Sequence, residues 1–354
     1  MKTVYAILFL IVSTLFFSNS VTKSLEEIQL NEIQVIGSHN SYKIAIDKTL
    51  FNYLLKTKPT LGGLEYEHIP LSEQLKLGLR GLELDVFYDP QGGYYTDPKG
   101  LEIVDSLGEE PQPFDVEQKL QLPGLKIFHV QEIDFRSHQL LFKDALRELK
   151  EWSQTNEHTP IIITINAKDG EIPNTRKPLP FTADALKSID TEILEVFDVE
   201  DLITPDMVRG NFETLELAVL TNGWPFLNEV KNRFMFVLDE GDEKTNEYLS
   251  NFPDTKGAIL FVNKEEGNPH AAFRIINDPI GNFEKIKNLV ELGYMVRTRA
   301  DANTQEARIN DYKRFEMAKA SGAQVITTDY YIPSKLFESD FKVIFENGAY
   351  ERNR

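Results

Sequence analysis

Two histidines and two neighbouring carboxylates are the residues of this sequence best suited to chemistry on a polar substrate. His39 and Asn40 end an apolar stretch in VIGSHNSYK, and His129 ends another in KIFHV. Glu83 and Asp85 alternate with leucines in GLELDV, so in a β-strand their side chains project to the same face. Two imidazoles at strand ends suit acid–base catalysis on a phosphodiester, because one takes a proton from an attacking hydroxyl and the other donates to the leaving oxygen. We therefore predict His39 and His129 as catalytic residues.

The carboxylate pair has two interpretations. Glu83 and Asp85 repel each other when side by side, and burying them unpaired would be costly. As structural residues they would bridge to buried arginines such as Arg297 and Arg299. As functional residues they would hold a divalent cation, because hard oxygen ligands suit calcium or magnesium. With Asn40 as a third oxygen donor, we favour the metal site.

The stretch YMVRTRAD places two arginines on one face of a strand. Their guanidinium groups match the geometry of phosphate oxygens. An ion-pair network of Arg297 and Arg299 with Asp301 or Asp329 explains them equally well, and the sequence leaves both interpretations open. The substrate-binding residues that we predict at strand ends are Lys168, Arg297, Arg299 and Tyr330.

Composition excludes several classes of function. The 354 residues include no cysteine, so disulfides and Cys-based metal or redox sites are excluded. The formal net charge of −18 opposes binding to nucleic acid, and we predict no nucleic-acid partner. No feature of the sequence indicates an obligate protein partner. An acidic protein outside the cell would meet calcium, which fits the predicted cation site without showing it.

Residues 1–20 have the pattern of a secretory signal peptide. Lys2 precedes a short apolar run, and Ser18 to Ser20 supplies the small residues that a signal peptidase reads. We predict a secreted or periplasmic protein, in which residues 21–354 form a single barrel domain. An uncleaved N-terminal anchor is the alternative.

Apolar, β-branched runs that end in polar residues recur along the rest of the chain. They cover residues 33–38, 81–88, 125–130, 160–167, 233–239, 258–263, 294–298 and 323–328. Segments with helical periodicity lie between several of them, at residues 137–154, 182–197, 283–292 and 304–320. Eight strands with intervening helices predict an α/β fold, a single TIM-type (β/α)8 barrel of regular or distorted shape, with its active site at the C-terminal ends of the strands. A doubly wound open sheet is the alternative. The gaps at residues 89–124 and 168–182 are predicted to be long loops on the active face.

These stretches together resemble a known family. GSHNSY at residues 37–42, GLELDV, His129 with Asp134 following, NGWP at residues 222–225 and TTDY at residues 327–330 stand in the order found in the secreted bacterial calcium-dependent phosphoinositide phospholipase C-like family. The resemblance spans roughly residues 31–332 and places the chain among the barrel phosphodiesterases.

The resemblance implies roles for the predicted site residues. His39 would stabilise or deprotonate at the reacting phosphate, and His129 would protonate the leaving group. Asn40, Glu83 and Asp85 would ligate Ca²⁺, which would lower the pKa of the inositol 2-hydroxyl and stabilise charge on the phosphoryl oxygens. Attack by that hydroxyl would release diacylglycerol and leave a cyclic inositol phosphate. The implied partner is a phospholipid, met in transient contact with a membrane surface.

One position departs from the family pattern. Relatives have a glutamate at the end of the fourth strand, where this sequence has Asn166. We keep Asn166 as a metal ligand through its carbonyl oxygen. Because charge count tunes calcium affinity, we predict weaker binding than a site with three carboxylates would give.

Two other functions fit part of the pattern. A glycerophosphodiester phosphodiesterase-like hydrolase uses two histidines and a Glu-x-Asp pair on a similar barrel, but its first histidine typically opens a His-Arg-Gly motif, whereas here Asn40 follows His39. A non-catalytic barrel that binds lipid or calcium is the other alternative. The two histidines argue against it, because a binding protein has no need of two proton-transfer groups.

Overall fold

The structure, a computed structural model, describes residues 27–354, so the signal peptide predicted for residues 1–20 lies outside the described residues. Most of the predicted apolar runs form strands. The strands are β1 (Ile33–Ser38), β2 (Gly81–Phe87), β3 (Lys126–Ile127), β4 (Ile161–Ala167), β5 (Leu202–Ile203), β6 (Phe234–Leu238), β7 (Leu260–Asn263), β8 (Ala271–Ile275), β9 (Met295–Arg299), β10 (Val325–Thr328) and β11 (Glu351–Asn353).

Eight of these strands close into a parallel barrel, which confirms the predicted (β/α)8 fold. Around the barrel the order is β1, β2, β4, β6, β7, β8, β9 and β10, with β10 pairing back onto β1. The contact between β1 and β2 is a single residue pair, Gly37 opposite Gly81. A Cβ on Gly37 would lie 2.7 Å from the Cα of Gly81, so the two strands approach closely here because neither residue has a side chain.

Two details of the strand prediction are wrong. The run at 125–130 supplies no barrel strand: its only strand is β3, which pairs antiparallel with the end of β2 as the chain returns from the long loop at 89–124. The eighth barrel strand is instead β8, for which no strand was predicted. Its sequence AAFRI is short, opens with two alanines and contains Arg274, so β-propensity gives little signal.

Helices follow most of the barrel strands. They are α1 (Lys48–Thr57), α2 (Leu71–Leu77), α3 (Lys99–Ser106), α4 (Phe142–Ser153), α5 (Ala183–Leu194), α6 (Pro205–Arg209), α7 (Leu215–Thr221), α8 (Asp242–Leu249), α9 (Phe283–Leu292), α10 (Gln305–Ile309) and α11 (Lys313–Ser321). The helix predicted for residues 304–320 is two helices, because Asn310 adopts a left-handed φ of 54° between them. In the described part of the chain, no helix has the length and apolar character needed to cross a membrane.

The alternation of side chains along the strands divides the core and positions the site. In β2, Leu82 and Leu84 point outward into a cluster shared with α4 and α5. The inward residues near the strand starts, such as Val35 and Ile162, form a second apolar cluster. Further along, the inward residues become polar, with Glu83 and Asp85 in β2. The barrel interior is therefore apolar at its amino-terminal end and charged at its carboxyl-terminal end.

Candidate active site

The carboxyl ends of the parallel strands bring nine of the ten predicted site residues to one mouth of the barrel. Contacts and charge interactions connect them directly or through one neighbour, and the nine are His39, Asn40, Glu83, Asp85, His129, Asn166, Lys168, Arg297 and Arg299. The loops predicted at residues 89–124 and 168–182 follow β2 and β4, so they leave the barrel at this mouth.

His39 is held between acidic and basic side chains. Its Nδ1 lies 2.8 Å from Asp329 Oδ1. A carboxylate only accepts, so Nδ1 carries the proton and donates it to Asp329. The other ring nitrogen, Nε2, lies 3.1 Å from Nη1 of Arg299 and 3.6 Å from Oε1 of Glu83. Because a guanidinium group only donates, Nε2 accepts a hydrogen bond from Arg299 at the barrel mouth.

The surroundings of His39 favour its neutral form. Burial lowers the pKa of the imidazole well below its usual value, and the charge of Arg299 lowers it further. Glu83 acts in the opposite direction, whereas Arg297 and His129 add to the lowering. In a neutral imidazole whose Nδ1 is already protonated, Nε2 carries the lone pair that can take a proton, and here that lone pair accepts a hydrogen bond from Arg299.

His129, which follows Glu83 and Asp85 in the sequence, has a hydrogen-bond arrangement similar to that of His39. It follows β3, whose antiparallel pairing with β2 brings it to the mouth although β3 is no barrel strand. Its Nδ1 lies 2.8 Å from Asp134 Oδ2, so Nδ1 donates to that carboxylate. Asp134 is fully buried and its Oδ1 lies 3.1 Å from Nζ of the equally buried Lys43. Burial raises the pKa of Asp134, but Lys43 and His129 outweigh it and the pKa is lowered.

The two carboxylates of β2 lie on one face of the strand, as their spacing predicts; this face is the barrel interior, and each carboxylate meets a cation there. Glu83 forms an ion pair with Arg297, whose other amino group donates to Asn277 Oδ1 at 2.6 Å. Asp85 is completely buried, and Lys168 Nζ lies 3.0 Å from its Oδ2. Within residues 27–354, neither Asp85 oxygen accepts a hydrogen bond of good geometry. The ion-pair interpretation of Glu83 is therefore realised in the structure, while Asp85 has spare coordination capacity.

Two amide side chains extend this group of oxygens. Asn40 is buried with a left-handed φ of 50°; its Nδ2 donates to Tyr66 Oη at 2.6 Å, and its Oδ1 lies 3.4 Å from Tyr42 Oη. Asn166 stands opposite Asp85 in the register of β2 and β4. Its Nδ2 donates to the backbone oxygen of Asp239 at 3.3 Å, which leaves its side-chain oxygen for another partner.

The donor chemistry at this mouth fits a hard divalent cation. Across the described residues, no group of three or more His, Cys, Asp or Glu side chains is arranged as metal ligands. A cation here would instead combine the carboxylates of Glu83 and Asp85 with amide oxygens. The buried Asp85 oxygens, which accept no hydrogen bond of good geometry, are the observation that supports this fit.

Both arginines of β9 form ion pairs with carboxylates. Arg299 Nη2 lies 3.2 Å from Asp329 Oδ2 and 3.8 Å from Asp301 Oδ1. Burial raises the pKa of Asp301 to about 7, and Asp329 raises it against the opposing effect of Arg299. The ion-pair network that the sequence left open is therefore present. Of the two arginines, Arg299 is the more exposed and Arg297 is almost fully buried.

The structure does not bring Tyr330 to the mouth with the other predicted substrate-binding residues. Its ring is buried and packs edge-to-face against Phe337 and Phe341, with centroids 5.9 and 6.0 Å away. Tyr330 ends an apolar run, but its side chain turns into the aromatic layer outside β10. Strand-end position alone could not distinguish these two directions. Lys168, in contrast, remains partly exposed beside Asp85.

Several residues that hold the site in place had no predicted role there. His68 Nε2 lies 2.7 Å from the backbone oxygen of His39 and donates to it. Lys43 donates to the backbone oxygen of Tyr66 at 3.0 Å and lies over its ring. Burial raises the pKa of Asp239, at the end of β6, to about 6, with Arg297 opposing. Asp239 stands at the end of a predicted strand, whereas His68 and Tyr66 lie in a loop and give no sequence signal.

Comparison with known proteins identifies the family. The profile described as "Phosphoinositide phospholipase C, Ca2+-dependent" matches residues 28–354. A search of curated proteins finds no match. Among solved structures, the calcium-dependent phosphoinositol-specific phospholipase C of a Pseudomonas species has 13% identity and a TM-score of 0.57, covering 94% of this chain and 98% of that one. The corresponding enzyme of Streptomyces antibioticus has 15% identity and a TM-score of 0.55, covering 89% and 99%. The fold is thus shared with both, and the match over nearly the whole described chain shows that this protein belongs to the Ca²⁺-dependent phosphoinositide phospholipase C family.

Proposed function

We propose that the protein cleaves the phosphodiester of phosphatidylinositol-type lipids with His39 as the base and His129 as the acid. The observation that carries the proposal is the matched orientation of the two imidazoles. Each donates its Nδ1 proton to a buried carboxylate, His39 to Asp329 and His129 to Asp134, both at 2.8 Å. Nε2 is therefore the proton-transfer nitrogen of each ring, and on His39 it exchanges the hydrogen bond from Arg299 for one from the substrate hydroxyl.

The proposed reaction uses these two nitrogens in order. Nε2 of His39 takes the proton of the inositol 2-hydroxyl as its oxygen forms a bond to phosphorus. The bond between phosphorus and the glycerol oxygen breaks, and His129 donates a proton to that oxygen, so that diacylglycerol leaves. Asp134 stabilises the positive charge that His129 carries before it donates. The remaining product is a cyclic inositol phosphate, which water opens in a second step.

Glu83, Asp85, Asn40 and Asn166 are the residues that would hold calcium. When bound, calcium would supply positive charge that acidifies the attacking hydroxyl and stabilises the phosphoryl oxygens. Arg299 is the proposed phosphate contact, because it is partly exposed beside Nε2 of His39. Its ion pair with Asp329 orients the guanidinium group toward the mouth.

Access to a lipid surface is part of the proposal. Exposed apolar side chains lie on the two loops that leave the active mouth; they are Leu107, Val116 and Leu122 on the first and Ile172 on the second. Val116 is 80% exposed. Such side chains favour transient contact with a membrane. Secretion or periplasmic export after removal of residues 1–20 belongs to the same proposal, because it would place the enzyme outside the cytoplasm.

The test is product analysis on phosphatidylinositol vesicles by phosphorus NMR, with and without a calcium chelator. We expect a cyclic inositol phosphate at early times, and its loss with chelator. We expect His39→Gln and His129→Gln each to lower kcat by about 10²- to 10⁴-fold. His270→Gln is the matched control: His270 directly precedes β8 and so lies at the opposite end of the barrel.

Other products would overturn the proposal. A linear monophosphate without any cyclic species would indicate a glycerophosphodiesterase-like reaction. No turnover, together with sedimentation of the protein with the vesicles, would indicate a lipid-binding barrel. Full activity of both histidine variants would refute the assigned acid and base.

A further inference from the structure

Lys168 occupies an unusual place for a residue of a cation-binding site. Its backbone amide donates to Val86 at 2.8 Å just beyond β4, and its side chain reaches back into the barrel mouth. There Nζ lies 3.0 Å from Asp85 Oδ2. Of the cationic groups in residues 27–354, only Lys168 lies within 4.0 Å of the Asp85 carboxylate. A positively charged side chain is thus present beside the carboxylate with the greatest capacity for a metal.

The surrounding charges explain why a cation is needed there. Asp85 is fully buried, and within the described chain its oxygens accept no hydrogen bond of good geometry, although the Lys168 ammonium and the Tyr42 hydroxyl interact with it. Glu83, on the same face of β2, is already neutralised by Arg297. An uncompensated buried carboxylate would be strongly destabilising, so the Lys168 ammonium supplies the missing charge.

The two cations of this group differ in mobility. Arg297 is 1% exposed and is held by Glu83 and Asn277. The Lys168 side chain is 31% exposed, and its four-carbon stem carries a single compact charge. Lys168 can therefore swing out of the mouth into solvent, whereas Arg297 cannot leave without breaking a buried network.

We propose that Lys168 is a tethered counter-cation: its ammonium neutralises Asp85 in the calcium-free protein and is displaced when a divalent cation binds. The inference rests on the proposed function, because it requires Asp85 to be a calcium ligand. An ammonium and a divalent cation on one carboxylate repel each other at these distances. Lys168 thereby lowers calcium affinity, in addition to the missing negative charge at Asn166, and sets a high calcium threshold for the site.

The test is calorimetric titration of calcium into the chelator-treated protein, using wild type, Lys168→Met, Lys177→Met and Asp85→Asn. Lys177→Met makes the same chemical change in the same loop, but Lys177 is 69% exposed and pairs with Glu171. We expect Lys168→Met to lower the Kd for calcium at least about tenfold, since charge at the site tunes affinity. Lys177→Met should leave the Kd unchanged, and Asp85→Asn should abolish binding. Activity is not the readout, because Lys168 is also a predicted substrate-binding residue.

Thermal unfolding gives a second, independent measurement. Without calcium, Lys168→Met leaves Asp85 unpaired, so the variant should unfold at a lower temperature than wild type. Saturating calcium should raise its Tm more than it raises that of wild type, because tighter binding to the folded state stabilises it more. A variant that folds only with calcium would support the proposal in the same way.

The outcomes separate this inference from the proposed function. If wild type binds calcium and Asp85→Asn does not, while Lys168→Met binds with an unchanged or higher Kd, the counter-cation role is refuted and the calcium site stands. If wild type and Asp85→Asn bind calcium equally, Asp85 is no ligand. If no variant binds calcium, the calcium site itself fails. Either of the last two results overturns both proposals.

Discussion

The buried ion pair between Lys43 and Asp134 gives the sharpest prediction. Both side chains are completely buried, and Nζ lies 3.1 Å from Oδ1. Asp134→Asn keeps the shape and a hydrogen-bond acceptor for His129, but it removes the negative charge. Lys43 then keeps a buried ammonium without its carboxylate, which costs about 3–5 kcal/mol. At about 2–4 °C per kcal/mol, we expect Tm to fall by on the order of 10 °C.

A double-mutant cycle distinguishes the charge from the contact. Lys43→Met/Asp134→Asn removes both charges, so it should recover most of the lost stability in thermal or denaturant unfolding. Activity should not recover, because His129 lacks its carboxylate in both variants, and we expect kcat to stay at least about 100-fold below wild type. The double variant thus separates the role of Asp134 in folding from its role in orienting His129.

The control is a salt bridge of the same chemistry on the surface. Glu171→Gln breaks the exposed pair with Lys177, and we expect little change in Tm because water screens such pairs. If Asp134→Asn lowers Tm no more than Glu171→Gln does, the reasoning about the buried charge is wrong. If the double variant regains activity along with stability, Asp134 acts on catalysis only through folding.

Two further predictions concern the stability of the fold. Gly37→Ala places a Cβ 2.7 Å from the Gly81 backbone, so we expect it to lower the free energy of unfolding by about 1–3 kcal/mol. Gly170→Ala is the control and should be neutral, because no atom lies within 4 Å of the added Cβ. Equal stability of the two variants would contradict the close contact between Gly37 and Gly81. Burial raises the pKa of Asp190 to about 7, so the folded state holds a proton that the unfolded state loses near pH 4. Between pH 4 and pH 8 this group should therefore lower the free energy of unfolding of wild type by up to about 4 kcal/mol. Asp190→Asn should lack that loss in denaturant titrations across this range, and an unchanged pH dependence would show that Asp190 ionises freely in the fold.

Much of the fold can be predicted from the sequence because a buried barrel strand is a recognisable run of apolar, β-branched residues. Seven of the eight predicted apolar runs supply barrel strands, and nine of the ten predicted site residues reach one mouth. The alternation in GLELDV places Glu83 and Asp85 on one face of their strand whatever the neighbouring strands are. The apolar pattern misleads in two places. The run at 125–130 has the pattern of a barrel strand but pairs antiparallel outside the barrel, whereas β8 begins with two alanines and is nevertheless a barrel strand.

The sequence by itself determined which residue types stand at the strand ends and which of them share a face of a strand. Only the tertiary structure decided their partners. His39 meets Asp329, which is 290 positions away, and Glu83 meets Arg297, which is 214 positions away. These pairings depend on barrel closure through Gly37 and Gly81 and on the register of strands that are distant in sequence. Local patterning carries no information about such distances, and electrostatic interaction depends on distance and burial. The charge state of His39 and the pairing of Lys168 with Asp85 therefore depend on the closure of the strands into a barrel.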